Sequence, residues 1–124
     1  MWLAVLRAYT NLMVFDLYLA RGNFQALYNR VRKYPLRSGH PRPQEIELIC
    51  HAVDLASICY WKQVRCLQHS AATACLLKRQ GIAARMVIGA QQVPFRAHAW
   101  VEVDGCVVND KPYMREIYGV LDQC

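Results

Sequence analysis

Positions 2–20 (WLAVLRAYTNLMVFDLYLA) are almost all apolar, interrupted by Arg7, Asn11 and Asp16. The uninterrupted apolar runs are too short to span a bilayer. A secretory signal puts positive charge before its apolar run and a small-residue cleavage site after it; neither occurs here. The pattern predicts a buried or partner-facing helix stopped at Gly22. Phe24, Leu27, Tyr28 and Val31 then fall at i, i+3, i+4 and i+7. That spacing predicts a second helix over 23–34, capped by Asn23, with Gln25, Arg30 and Lys33 facing water. Pro35 ends it, because the residue before a proline is pushed out of the helical region. Residues 35–43 (PLRSGHPRP) form a linker, with Ser38 and Gly39 at its tip and His40 exposed.

A third helix is predicted over 44–62. Ile46, Ile49, Val53, Ala56 and Tyr60 make its apolar stripe, and Glu45 and Glu47 suit its positive end. His51 and Asp54 read as part of its solvated face. A fourth helix over 66–80 packs through Leu67, Ala71, Ala74 and Leu76 or Leu77, with small residues from Ser70 to Ala74 permitting a close approach. Lys78 and Arg79 suit its C-terminal end, and Gly81 its left-handed cap. Strands follow over 82–89, 95–103 and 106–110, with a turn at Asp104–Gly105. The tail from Pro112 holds Tyr113, Met114, Ile117, Tyr118 and Leu121, and reads as one or two helical turns packed on the sheet. The class is α+β: a helical half over 1–60, then a helix on a small antiparallel sheet over 61–124, together one domain.

Composition narrows the uses of such a fold. Hydrophobic content of 55% against 19% charged is that of a globular chain with apolar surface to spare for a partner. Burying one face of each helix leaves some of Trp2, Leu3, Leu6, Leu12, Phe15 and Leu19 exposed; helices 1–20 and 23–34 then form a docking surface, the alternative being that the first helix is fully buried or closes a homodimer. The net charge of +6 is spread without a basic run, and no nucleic-acid module is present, so nucleic acid is not the expected partner. The cysteines are Cys50, Cys59, Cys66, Cys75, Cys106 and Cys124. Several sit in apolar helical stretches and no secretory signal precedes them, so reduced thiols in the cytoplasm are expected. Cys66 and His69 have metal-ligand spacing, but no second pair completes a zinc set, so no metal is expected.

The chemistry concentrates between Arg65 and Asp110. Cys66 opens a helix, His98 lies on the next hairpin's first strand, and Asp110 ends its second. A thiol, an imidazole and a carboxylate from neighbouring elements are the parts of a cysteine nucleophile with its base and orienting acid. A helix N-terminus beside an imidazolium lowers a thiol pKa, and its free backbone N–H groups stabilise an oxyanion. Gln63 and Trp100 are secondary candidates for that oxyanion or for substrate. A three-residue loop of Val103, Asp104 and Gly105 with a G1 bulge is the expected turn. It pairs Glu102 with Cys106, Trp100 with Val108 and His98 with Asp110; a two-residue loop puts Asp110 opposite Ala99 on the other face.

These residues carry a resemblance. Cys66-Leu67 opens an alanine-rich helix. Leu-Leu-x-Arg-x-Gly-Ile-x-Ala-Arg runs from Leu76 to Arg85, then come Ile88-Gly89, Phe95-Arg96-Ala97-His98-Ala99-Trp100-Val101-Glu102, Asp104-Gly105 and Asn109-Asp110. Together they resemble the transglutaminase-like cysteine peptidases of lasso-peptide biosynthesis, over roughly residues 60–112. The resemblance implies a papain-like core and a Cys-His-Asp triad on Cys66, His98 and Asp110. It implies no cofactor. It implies removal of a leader from a ribosomally made precursor peptide, with a separate leader-recognition protein and an ATP-dependent macrocyclase as partners. An acyl transferase with the same triad and a non-catalytic peptide-binding subunit are the alternative readings.

Overall fold

The computed structural model describes residues 2–37, 43–92 and 95–124. The tip of the expected linker, with Ser38, Gly39 and His40, lies outside the described residues. Helix α1 (Trp2–Ala20) ends where Gly22 takes φ +67°. Helix α2 (Phe24–Lys33) is capped as expected, the Asn23 side-chain oxygen accepting from the Ala26 N–H at 3.2 Å. Helix α3 (Pro43–Cys59) stops short of the expected 62, and α4 (Cys66–Arg79) begins at the expected cysteine. Strands β1 (Ala84–Gln92), β2 (Phe95–Val103) and β3 (Cys106–Val107) follow. The one-turn helix α5 (Met114–Ile117) then leads into β4 (Gly119–Gln123).

By length and composition α1 qualifies to cross a membrane, contrary to the reading from its uninterrupted runs. Its contacts seat it in the domain. Ala8, Leu12 and Phe15 are fully buried, and burying a side chain such as Leu12 or Phe15 contributes about 1.5–3 kcal/mol. Asp16, polar within that apolar stretch, is paired with Lys62 at 2.8 Å and accepts from the Tyr60 hydroxyl at 2.8 Å. The buried Gln68 of α4 donates to the Leu12 carbonyl at 2.7 Å and accepts from the Arg65 N–H, tying the start of α4 to α1. Of the expected exposed set, Trp2, Leu3 and Leu6 are exposed and Leu19 is partly so, whereas Leu12 and Phe15 are core.

The sheet is antiparallel with order β3-β2-β1-β4. Its face toward α4 packs Ala84, Met86 and Val101 against Ala71, Ala74 and Leu77. The alanines let helix and sheet approach closely, as their spacing predicted. The opposite face carries a second, smaller cluster of Val87, Trp100 and Met114, with Tyr118 against it.

Two expectations fail here. The tail is not purely helical: β4 adds a strand at the free edge of β1, with a bulge between Ile88 and Gly89. Its exposed, short, glycine-led sequence gave no alternation to read. The hairpin also turns in two residues, pairing Val103 with Cys106 and Glu102 with Val107. Asp104 has φ +52° and Gly105 φ +79°, so both central positions are left-handed. That is the primed turn whose twist matches the flanking strands, and Asp-Gly is one of its preferred pairs. Gly105→Val should lower unfolding free energy by about 1–3 kcal/mol, since a β-branched residue is strained at positive φ. Asp104→Asn should leave it within about 0.5 kcal/mol. Denaturant melts of the two variants check both values.

Candidate functional site

The two-residue turn does not separate His98 from Asp110, because the second strand stops early. After the Val108 N–H donates to the Val101 carbonyl at 3.0 Å, the ladder ends. The Val101 N–H is taken instead by the Asn109 side-chain oxygen at 2.7 Å. The Val108 carbonyl, left over, accepts from the Cys50 thiol at 3.5 Å. Chain leaving the ladder at Asn109 brings Asp110 to His98 from outside the strand register, and the His98 Nε2–Asp110 Oδ2 separation is 2.6 Å. The expected partners meet; the register argued for them is wrong.

Residues 99 and 101 present their backbone groups to the same edge of β2. At 101 that edge is served by Val108 and Asn109, and at 99 by helix α4: the Ser70 hydroxyl donates to the Ala99 carbonyl at 3.0 Å. Helix α4 thus takes over the edge that β3 leaves vacant. Cys66, exposed, is the first residue of that helix, one turn before Ser70 and on the same helical face. His98 directly precedes Ala99. Gln63 is exposed in the loop ahead of the helix. Trp100 does not serve an oxyanion: it is fully buried, and its indole N–H donates to Glu102 at 2.8 Å.

The thiols differ by environment. All six are free. Burial pushes the Cys50 thiol up to about 11 and the Cys75 thiol up to about 12, and it raises Cys124 as well. Those three are held protonated and inert. Cys66, Cys59 and Cys106 are exposed, and Cys66 alone of them opens a long helix.

Sequence reasoning missed a second imidazole–carboxylate pair. His69 Nε2 lies 2.8 Å from Oδ1 of Asp54, which is exposed as expected but not unpartnered. The Asn109 amide donates to Ser70 Oγ at 3.1 Å and stands 3.5 Å from His69 Nδ1. Asn109 thereby joins β2, α4 and the segment that carries Asp110. Its place before Asp110 was visible, but nothing in the sequence marked it as a bridge. Neither was the buried Glu102 legible: Arg115 of α5 grips it at 2.7 and 2.9 Å. Among the described residues no group of three or more His, Cys, Asp or Glu side chains is arranged to hold a metal.

Asn109→Ala should leave the Val101 N–H without a partner and Ser70 Oγ without its donor, with a loss of about 1–3 kcal/mol in stability and a His98–Asp110 contact no longer fixed. Denaturant melts and the ring-proton shifts of His98 report the two effects. The Arg115 hydrogen bonds hold the Glu102 carboxyl below its ordinary value. A group lowered by folding stabilises the native state above its unfolded pKa, about 4.3, and that contribution is lost as pH falls through the folded value. Glu102→Gln should therefore flatten the acid limb of the stability curve below about pH 4.3 in pH-dependent melts.

Comparison with known proteins places this arrangement. Over a 56-residue stretch, 45% of this chain, it is 45% identical to the microcin J25-processing protein McjB of Escherichia coli. That stretch spans 27% of the relative's length, so the likeness covers about a quarter of it. No solved structure matches the chain. The family described as the transglutaminase-like superfamily matches residues 11–122, from the first helix to the last strand, and the chain belongs to it.

Proposed function

We propose that residues 1–124 form one catalytic domain, a cysteine endopeptidase that removes the leader from a ribosomally made lasso-peptide precursor. The observation that carries this is the His98–Asp110 bond at 2.6 Å, made through Nε2 on the strand against whose edge helix α4, opened by Cys66, packs through Ser70. Asp110 accepting from Nε2–H fixes the tautomer in which Nδ1 holds the lone pair. Nδ1 then takes the proton of the Cys66 thiol. The thiolate attacks the carbonyl of the scissile peptide, and the Sγ–C bond forms as the carbonyl π electrons move to oxygen. Backbone N–H groups at the start of α4 stabilise that oxyanion, with Gln63 as an adjacent side-chain donor. Its collapse breaks the C–N bond, and the leaving amine takes the proton from His98. Water, deprotonated by His98, then hydrolyses the thioester.

The substrate class rests on the likeness to McjB, whose name is that of a processing protein. The same reading supplies the partners: a separate leader-recognition protein that presents the precursor, and an ATP-dependent macrocyclase that takes the freed core. The mechanism calls for no cofactor, and a reducing cytoplasm keeps the thiol available.

His69 is the competing base, three residues after Cys66 on α4. Its Nε2 is bonded to Asp54 and its Nδ1 faces the Asn109 amide, so no nitrogen is left for a thiol. Cys66→Ala and His98→Ala should each abolish cleavage of a precursor peptide with native circular dichroism retained, because the two act as a unit. Asp110→Asn should be milder, since that residue orients rather than reacts. His69→Ala should keep turnover within about tenfold of the parent. Cleavage retained by Cys66→Ala, or a His69 effect as large as that of His98, would overturn the assignment. Iodoacetamide at pH 6 should label Cys66 well ahead of the exposed Cys59 and Cys106.

A further inference from the structure

His98 is held on more than its edge. Its ring stacks on Tyr118 with centroids 5.4 Å apart and planes 24° apart. Trp100 stacks at 6.3 Å and 27°, and Trp100 and Tyr118 touch each other at 6.0 Å. We infer that Tyr118 is a positioning residue for His98, fixing the imidazole plane through its ring face. The inference rests on the peptidase reading of Cys66 and His98.

Three features of the fold are arranged to produce this stack. Tyr118 lies between α5 and β4, a strand that borders β1 and not β2, and its ring reaches His98 over β1. The residue of β1 that pairs with His98 is Gly89. A Cβ on Gly89 would stand 2.8 Å from Tyr118 Cβ and 2.7 Å from Trp100 Cη2, so any side chain there would force the rings apart. The slot over the imidazole's cross-strand neighbour exists only because that position is empty.

Tyr118 is also pinned on both sides. Its N–H closes α5 on the Met114 carbonyl at 2.9 Å, and α5 is fastened to β2 by the Arg115–Glu102 pair. Directly after it, Gly119 enters β4 opposite Ala90. The ring therefore has little freedom to swing away. Stacking limits rotation about the Cβ–Cγ bond of His98, a torsion that is otherwise broad.

The hydrogen bond that orients His98 comes from elsewhere: Asp110 reaches it from the segment after β3. On the next strands β1 and β4 place Gly89 and Val120 beside it. Substitution of Tyr118 leaves these in place, so a change at the His98 ring reads the stack.

The test uses the full chain and no peptide substrate. The downfield Nε2–H proton of His98 is observed by NMR, and Cys66 alkylation by iodoacetamide is followed at pH 6. Tyr118→Phe should keep that resonance and match the parent within about twofold in alkylation rate. Tyr118→Leu, which keeps apolar bulk without a ring face, should broaden the resonance away as the imidazole loses its fixed plane against Asp110, and slow alkylation about tenfold. Gly89→Ala, which wedges the ring off, should do the same. A resonance unchanged in both Tyr118→Leu and Gly89→Ala overturns the inference. So does a Tyr118→Phe loss equal to that of Tyr118→Leu, which would assign the effect to the hydroxyl. Because the resonance is read without turnover, it stands or falls separately from the cleavage assay on Cys66→Ala.

Discussion

The structure depends on one strand edge. Strand β2 runs nine residues, but β3 covers only its last two, and the backbone groups beyond must still find partners. They find them in side chains. The Asn109 amide oxygen serves the Val101 N–H, and the Ser70 hydroxyl serves the Ala99 carbonyl. Had β3 continued, α4 would be excluded from that edge, and Asp110 would point to the wrong face. The premature end of a strand is what admits both the helix that begins at Cys66 and the carboxylate that meets His98.

Most of the elements were legible because they are written in periodicity. Helices α1, α2 and α4 begin and end within a residue or two of where apolar spacing, Asn23, Gly22 and Gly81 put them. The pairing of His98 with Asp110 was reached from the sequence by a false route. A G1-bulged loop was expected to set the register; the chain instead makes the shorter primed turn and corrects the facing by leaving the ladder. Strand rules describe ladders that continue, and they have nothing to say about where a side chain takes over from a backbone. The same limit hid Asn109 and the Asp54–His69 pair, whose members lie fifteen residues apart on different helices. Strand β4 was hidden for another reason: all five of its residues are exposed, so no buried face imposed an alternation.

Trp100 shows how a motif can mislead in its own neighbourhood. It stands two residues from His98 and therefore on the same face, and the sequence offered it as a secondary candidate for oxyanion or substrate. That face turns out to be roofed by α5, and the indole is core there, with its one donor on Glu102. Its part in the site is mechanical, as a wall against which His98 and Tyr118 lie.

The strand order β3-β2-β1-β4 separates the two holds on His98. The carboxylate comes from the segment after β3, on one edge of the sheet, and the aromatic ring precedes β4, on the other. Detachment of that one exposed edge strand would strip the ring from the imidazole and leave its carboxylate in place. The imidazole thus has two fastenings that can be undone independently, one at each margin of the sheet.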